Sequence, residues 1–249
     1  MGTTVYVKTF GRENDRPVLL LHGGGVAGWM WEPVRAHLDA GLRLIVPDLP
    51  GHDHSADEPY RSHDETVAAL ESLLEKEAAA PVAVVGFSLG AQLAVLLAAR
   101  RPDLVDRVAP ISAQASPSAA PGPTLALLGA TAGLAKHAWF ARLQAKELFV
   151  PHELLDDYLR TSSTVSRPTL LAAVGENIRF TVPAGWSAFT GGALLLAGAE
   201  ERALVKRSAR SLHGALPHST LEIVRGCGHG IPLQSPAWLA NRLHTWLGG

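Results

Sequence analysis

The sequence predicts an α/β protein, a mostly parallel sheet wrapped by helices. Three observations carry that expectation. Short apolar runs alternate with helical patterns through the first 112 residues, the alternation then stops for a long strandless stretch, and it resumes from residue 193 onward. At 249 residues the chain fits a single domain, and 47% hydrophobic against 18% charged residues supplies an ordinary apolar core.

The elements come in order along the chain. Residues 18–21, 42–46, 82–85 and 105–111 are short apolar runs that read as buried strands, and 29–40, 63–77 and 88–101 read as the helices between them. Ser62-His63-Asp64-Glu65 forms a capping box, with Val67, Leu70 and Leu74 on one face of the helix it opens. After Ser112 the rhythm breaks. Residues 113–123 are rich in Ala, Ser, Pro and Gly, and the next stretch holds Trp139, Phe140, Phe149, Tyr158, Phe180, Trp186 and Phe189. A helical cap over residues 114–190, inserted between two late strands, accounts for this; further core helices are the alternative. Strands are then expected at 193–197 and 220–224, separated by a helix with Leu204, Ser208, Leu212 and Leu216 on one face. A last helix opens at Ser235-Pro236, with Leu239, Leu243, Trp246 and Leu247 as its buried stripe.

Composition narrows the function classes. A net charge of −1 gives no steering toward nucleic acid or anionic lipid. The single cysteine, Cys227, forbids an intrachain disulfide and fits a reducing compartment, and the N-terminal stretch has no apolar leader core, so a cytoplasmic protein is expected. Residues 78–99 are uncharged and long enough to imitate a membrane span. Pro81 and the Gly86/Gly90 pair divide them into a strand and a helix instead, so no membrane association is expected.

The chemistry centres on Gly86-Phe87-Ser88-Leu89-Gly90, a G-x-S-x-G pentapeptide between a predicted strand and a predicted helix. A serine on such a sharp turn projects its hydroxyl out of the sheet, and the helix N-terminus behind it favours developing negative charge. His229, one of 11 histidines, stands out by lying between the last predicted strand and the last helix, as a general base in the order serine, acid, histidine would.

With these residues the chain resembles the α/β-hydrolase family over nearly its whole length, as one domain spanning residues 1–249. His22-Gly23-Gly24-Gly25 looks like that family's oxyanion loop. Asp48-Leu49-Pro50-Gly51-His52-Asp53-His54-Ser55 resembles its D-x-x-G-x-x-x-S turn, with Asp53 where the second glycine is usual, and Cys227-Gly228-His229 resembles its histidine loop. The resemblance implies a nucleophile at Ser88, a base at His229 and an oxyanion hole from the Gly24 and Leu89 backbone N–H groups. It points to Glu201 as the acid, three residues beyond Gly198. Glu stands there in place of the usual Asp, and Glu200 is a competitor. The other position that relatives use, after the preceding strand, falls on Ile111-Ser112-Ala113-Gln114, which holds no carboxylate.

The expected activity is hydrolysis of carboxylic esters of small to medium apolar substrates through an acyl-enzyme, with a small-molecule ester as partner and no metal or organic cofactor. Lactones, thioesters and carbon–carbon bonds β to a carbonyl fit the same apparatus. Two other readings stay open. A non-catalytic ligand-binding protein is one, kept alive by the Glu-for-Asp departure. The other is an NAD-dependent oxidoreductase, since Gly23, Gly25 and Gly28 satisfy G-x-G-x-x-G and Asp48 follows Gly28 by twenty residues.

Overall fold

The computed structural model describes residues 5–38, 41–131 and 138–248. Its sheet is built from β1 (Val7–Phe10), β2 (Arg16–Leu21), β3 (Leu42–Pro47), β4 (Val82–Phe87), β5 (Val105–Ile111), β6 (Gly192–Gly198) and β7 (Thr220–Val224). The spatial order is β1-β3-β2-β4-β5-β6-β7, parallel throughout except for β1, which runs antiparallel to β3. The helices are α1 (Glu32–Arg35), α2 (His63–Glu77), α3 (Leu89–Arg100), α4 (Pro121–Thr131), α5 (Ala138–Glu147), α6 (Leu155–Thr164), α7 (Arg167–Arg179), α8 (Ala203–Ala215), α9 (Ile231–Gln234) and α10 (Pro236–Leu247).

Continuous apolar runs form the central strands because both sheet faces are covered. Leu19, Leu21, Ile45, Val84 and Leu195 share one core with Leu70 and Leu74 of α2 and Leu93 and Leu97 of α3. The alternate residues Leu20, Val46, Val85 and Leu196 share a second core with Val34 of α1 and with Leu239 and Leu243 of α10. Every residue of β4 is buried. Uncharged residues 78–99 resolve into β4 and most of α3, and no helix among the described residues is long and apolar enough to cross a membrane.

Local signals set most boundaries. Ser62 caps α2 by accepting a hydrogen bond from the Glu65 N–H at 3.1 Å, as the capping box requires. The helix expected over 29–40 is shorter. A 3₁₀ turn spans Gly28–Trp31 and α1 only Glu32–Arg35, while residues 39 and 40 lie outside the described ones. The reason is local: Trp29, Met30 and Trp31 are consecutive and all buried, which one face of an α-helix cannot achieve, and Pro33 lacks the N–H that would extend the turn from upstream. The edge strand β1 was not expected, because it is only half buried and shows no clear alternation.

The helices α4 to α7 lie between β5 and β6. The aromatic residues of this stretch divide. Phe180, Trp186 and Phe189 join the core beside α3, with the Trp186 indole N–H donating to the Leu212 carbonyl at 2.9 Å. Phe140 and Tyr158 instead line a cavity facing the sheet.

This topology places the site. The chain leaves β2 for β3 on one side and returns to β4 on the other, so the loops after β2 and β4 diverge from neighbouring strand ends. A crevice at such a switch point is where open α/β sheets bind ligands.

Candidate active site

Ser88 follows β4 directly and caps α3 with φ 51° and ψ −107°. A non-glycine residue with positive φ of this kind costs about 1–3 kcal/mol and persists only where its surroundings enforce it. Here they do. The Ser88 N–H donates to the Ile111 carbonyl at 2.9 Å, and its own carbonyl accepts from Ala91 and Gln92. Both motif glycines are sterically required. A Cβ at Gly86 would stand 2.2 Å from the Gly90 oxygen, and one at Gly90 would stand 2.4 Å from the Leu21 oxygen and 2.5 Å from that of His22. The turn packs too tightly against β2 for any side chain.

His229 reaches Ser88 from the loop after β7. Its Nε2 accepts from Ser88 Oγ at 3.0 Å, and its Nδ1 lies 3.1 Å from Glu201 Oε2. A carboxylate at Nδ1 fixes the tautomer with hydrogen there and leaves Nε2 a free acceptor for the serine. Glu201 comes from the loop after β6, is 6% exposed, and also accepts from the N–H of Gly198, the last residue of β6, at 3.3 Å. Its second oxygen, Oε1, takes the Ser112 hydroxyl. Glu200 is exposed, and among the described residues only its backbone is engaged, donating to the Cys227 carbonyl. The structure thus brings Ser88, His229 and Glu201 into one hydrogen-bonded chain and leaves Glu200 outside it.

The loop after β2 is held by a buried histidine. His22 donates from Nδ1 to the Gly23 carbonyl at 2.7 Å and accepts the Leu49 N–H on Nε2 at 2.8 Å, tying this loop to the turn after β3. Burial lowers its pKa to about 4 against the raising effect of the Gly23 carbonyl, so it is a neutral strut. Gly23 lies under Phe87, where a Cβ would stand 2.8 Å from the ring. Beyond it, Gly24 and Leu89 line the same cavity as Ser88, and neither backbone N–H has a partner among the described residues.

The cavity has a volume of about 720 Å³. Leu128, Phe140, Leu148, Tyr158, Leu170 and Val174, all from α4 to α7 or the segments joining them, give it a largely apolar roof, to which Glu147, Arg167 and Asn177 of the same segments add polar groups. His52, from the turn after β3, is also in the lining. It is 1% exposed, donates to the Pro50 carbonyl, and is kept neutral by burial that lowers its pKa to about 3.

Asp48 and Gly28 have a structural explanation for their twenty-residue spacing. The Gly28 N–H donates to Asp48 Oδ1 at 2.8 Å, and Oδ2 of Asp48 takes the His54 ring and N–H. Both carboxylate oxygens are engaged, and a four-residue 3₁₀ turn stands where a dinucleotide fold would place a helix N-terminus. Asp48, Asp53 and His54 gather ligand-type atoms within 4.8 Å. Asp53, however, is already bound by Arg160, from Nε to Oδ1 at 3.0 Å and Nη2 to Oδ2 at 2.9 Å. Sequence reasoning did not find this pair, nor the contact of Ser112 with Glu201. The sequence signal for the first was Asp53 standing where glycine is usual, and the structure gives that residue φ 44°.

Known proteins agree with this architecture. A stretch of 108 residues is 33% identical to a pimeloyl-[acyl-carrier protein] methyl ester esterase of Vibrio campbellii, covering 43% of this chain and 40% of that one. Among solved structures, a bromoperoxidase from Bacillus anthracis superposes with a TM-score of 0.85 at 20% identity, covering 98% of this chain and 95% of its own. The enol-lactonase from Burkholderia xenovorans LB400 does so with a TM-score of 0.83 at 18% identity, over 98% and 96%. At such identities the superpositions speak for the fold alone. The model of the alpha/beta hydrolase family matches residues 18–242, from β2 into α10, and the chain therefore belongs to that family.

Proposed function

We propose that this protein is a serine hydrolase that cleaves carboxylic esters of small to medium apolar substrates through an acyl-enzyme on Ser88. One observation carries the reading: Ser88 Oγ, His229 and Glu201 are hydrogen-bonded in sequence at the edge of a cavity that Gly24 and Leu89 also line, their backbone N–H groups without a partner among the described residues. Ser88 Oγ attacks the ester carbonyl and passes its proton to His229 Nε2. The Gly24 and Leu89 N–H groups hold the oxyanion. His229 then protonates the departing alcohol oxygen, leaving Ser88 acylated. A water molecule, giving its proton to His229, releases the acid, and that proton returns to Ser88. Glu201 keeps the imidazole in the required tautomer and balances the imidazolium.

The helices α4 to α7 act in this reading as the cap, and their apolar roof sets the substrate class. The volume suits a small-molecule ligand. The esterase relative supports ester chemistry. A ligand-binding protein without chemistry would need neither the strained Ser88 backbone nor its bond to His229, which favours the enzyme. Cys227, buried and outside any disulfide, supports a cytoplasmic setting.

The test is hydrolysis of nitrophenyl esters of increasing acyl length. The protein turns over short and medium chains, and Ser88→Ala lowers kcat by about 10³-fold or more while retaining the native circular dichroism spectrum. Retention of more than a few per cent of activity by a folded Ser88→Ala protein overturns the assignment.

A further inference from the structure

We infer that Ser112 is a positioning residue for this reaction, holding the Glu201 carboxylate so that one defined oxygen faces His229. The inference rests on the reading of Glu201 as the acid. Ser112 follows β5 directly and is 1% exposed. Its backbone has φ 58°, in the left-handed region that favours glycine, yet the position carries a hydroxyl. Its N–H continues the sheet by donating to the Leu196 carbonyl at 2.8 Å, so the residue is fixed at the paired ends of β5 and β6.

From there the hydroxyl meets two further loops of the site, those after β6 and β7. It donates to Oε1 of Glu201, and the His229 carbonyl lies 3.2 Å away as a second acceptor. One hydrogen cannot serve both equally, and the shorter contact is to the carboxylate. The Gly198 N–H also points at Oε1, whereas Oε2 is left to His229. The two oxygens are therefore distinguished by what surrounds them, not by chance rotation.

A glutamate needs this more than an aspartate would. Its extra methylene adds a rotatable bond between the backbone and the carboxyl group, so the group has more ways to miss the imidazole. A donor on the far oxygen removes that freedom. It also satisfies a lone pair that is buried in a side chain with 1% exposure. Ser112 touches no reacting atom; it acts through the Glu201 carboxylate, with the His229 backbone carbonyl as its second contact.

Ser112→Gly is the informative variant, because glycine relieves the left-handed backbone while deleting the hydroxyl. With a nitrophenyl ester, Ser112→Gly lowers kcat by about tenfold or more, leaves KM within about twofold, and retains the native circular dichroism spectrum. Ser112→Ala gives the same kcat loss. In a Glu201→Gln background, Ser112→Gly causes little further loss, since the group it positions no longer acts as a carboxylate. Wild-type kcat in the folded Ser112→Gly protein overturns the inference, as does a loss that multiplies fully with that of Glu201→Gln. If Glu201→Gln itself keeps wild-type kcat, the reading of Glu201 as the acid fails, and the inference with it. A kcat loss from Glu201→Gln alone leaves that reading standing and removes only the role of Ser112.

Discussion

Ser88, Gly86 and Gly90 were legible as a unit because the strained turn has a sequence signature in which each glycine answers a particular close approach. His229 was legible from chain order. Glu201 could be named only against Glu200, and what separates them is burial and a 3.1 Å contact to the imidazole. Glu201→Gln should therefore reduce kcat by about 10²-fold or more, while Glu200→Gln stays within about twofold; steady-state kinetics on one ester decides, and the reverse order would move the acid by one residue. Ser112 escaped the sequence because a serine after a strand has no distinguishing pattern, and its partner lies 89 residues away. The buried histidines give a second prediction at this scale. His22 and His52 have pKa values lowered to about 4 and about 3, chiefly by burial, against 6.5 for an exposed imidazole, and His63 is lowered in the same way. The unfolded chain thus binds more protons below pH 6.5. Their contribution to stability is complete above pH 6.5 and declines as pH falls toward the folded values. Urea midpoints should drop clearly between pH 7 and pH 5, and a flat profile would contradict the role of these histidines as neutral struts.

At the scale of elements, the contact between α6 and the turn after β3 is the feature that the sequence half disclosed. Asp53 in a left-handed conformation is a visible departure, but its reason is Arg160, 107 residues away. The bidentate pair is joined by the Trp29 indole N–H donating to Thr161 Oγ1 at 2.9 Å, so α6 is fastened to the core at two neighbouring points. Burial alone would raise the Asp53 pKa, but hydrogen bonds and charge from Arg160, with His54, hold it below the usual value. Arg160 is 46% exposed, so screening limits the pair to about 1 kcal/mol. Asp53→Gly loses that bond but regains about 1 kcal/mol of backbone strain. It should consequently destabilise less than Arg160→Ala, measured by urea unfolding, and greater damage from Asp53→Gly would show that the carboxylate does more than clamp α6. The helix expected at 29–40 failed for a different reason. Three consecutive buried residues override a periodic pattern, because tertiary burial outweighs local propensity.

Across the whole molecule, the parallel sheet was readable because its strands are buried on both faces and appear as unbroken apolar runs. The edge strand β1, half exposed, gave no such signal. Helices α4 to α7 were foreseen only as a region, since helical periodicity alone does not say which apolar residues face the sheet and which face a cavity. The structure sorts them: Trp186 and Phe189 join the core beside α3, whereas Phe140 and Tyr158 line the cavity that Ser88 also lines. The fold therefore sets a strained turn beside the ends of β2 and β4 and lines the cavity next to it with residues of α4 to α7. Sheet, loops and roof all converge on one hydroxyl. Intact-mass and peptide mapping after exposure of the folded protein to a fluorophosphonate tests its reactivity most directly. A nucleophilic Ser88 predicts a single adduct, located on that residue, and none on the Ser88→Ala protein; an unlabelled wild type, or an adduct that survives Ser88→Ala, would contradict it.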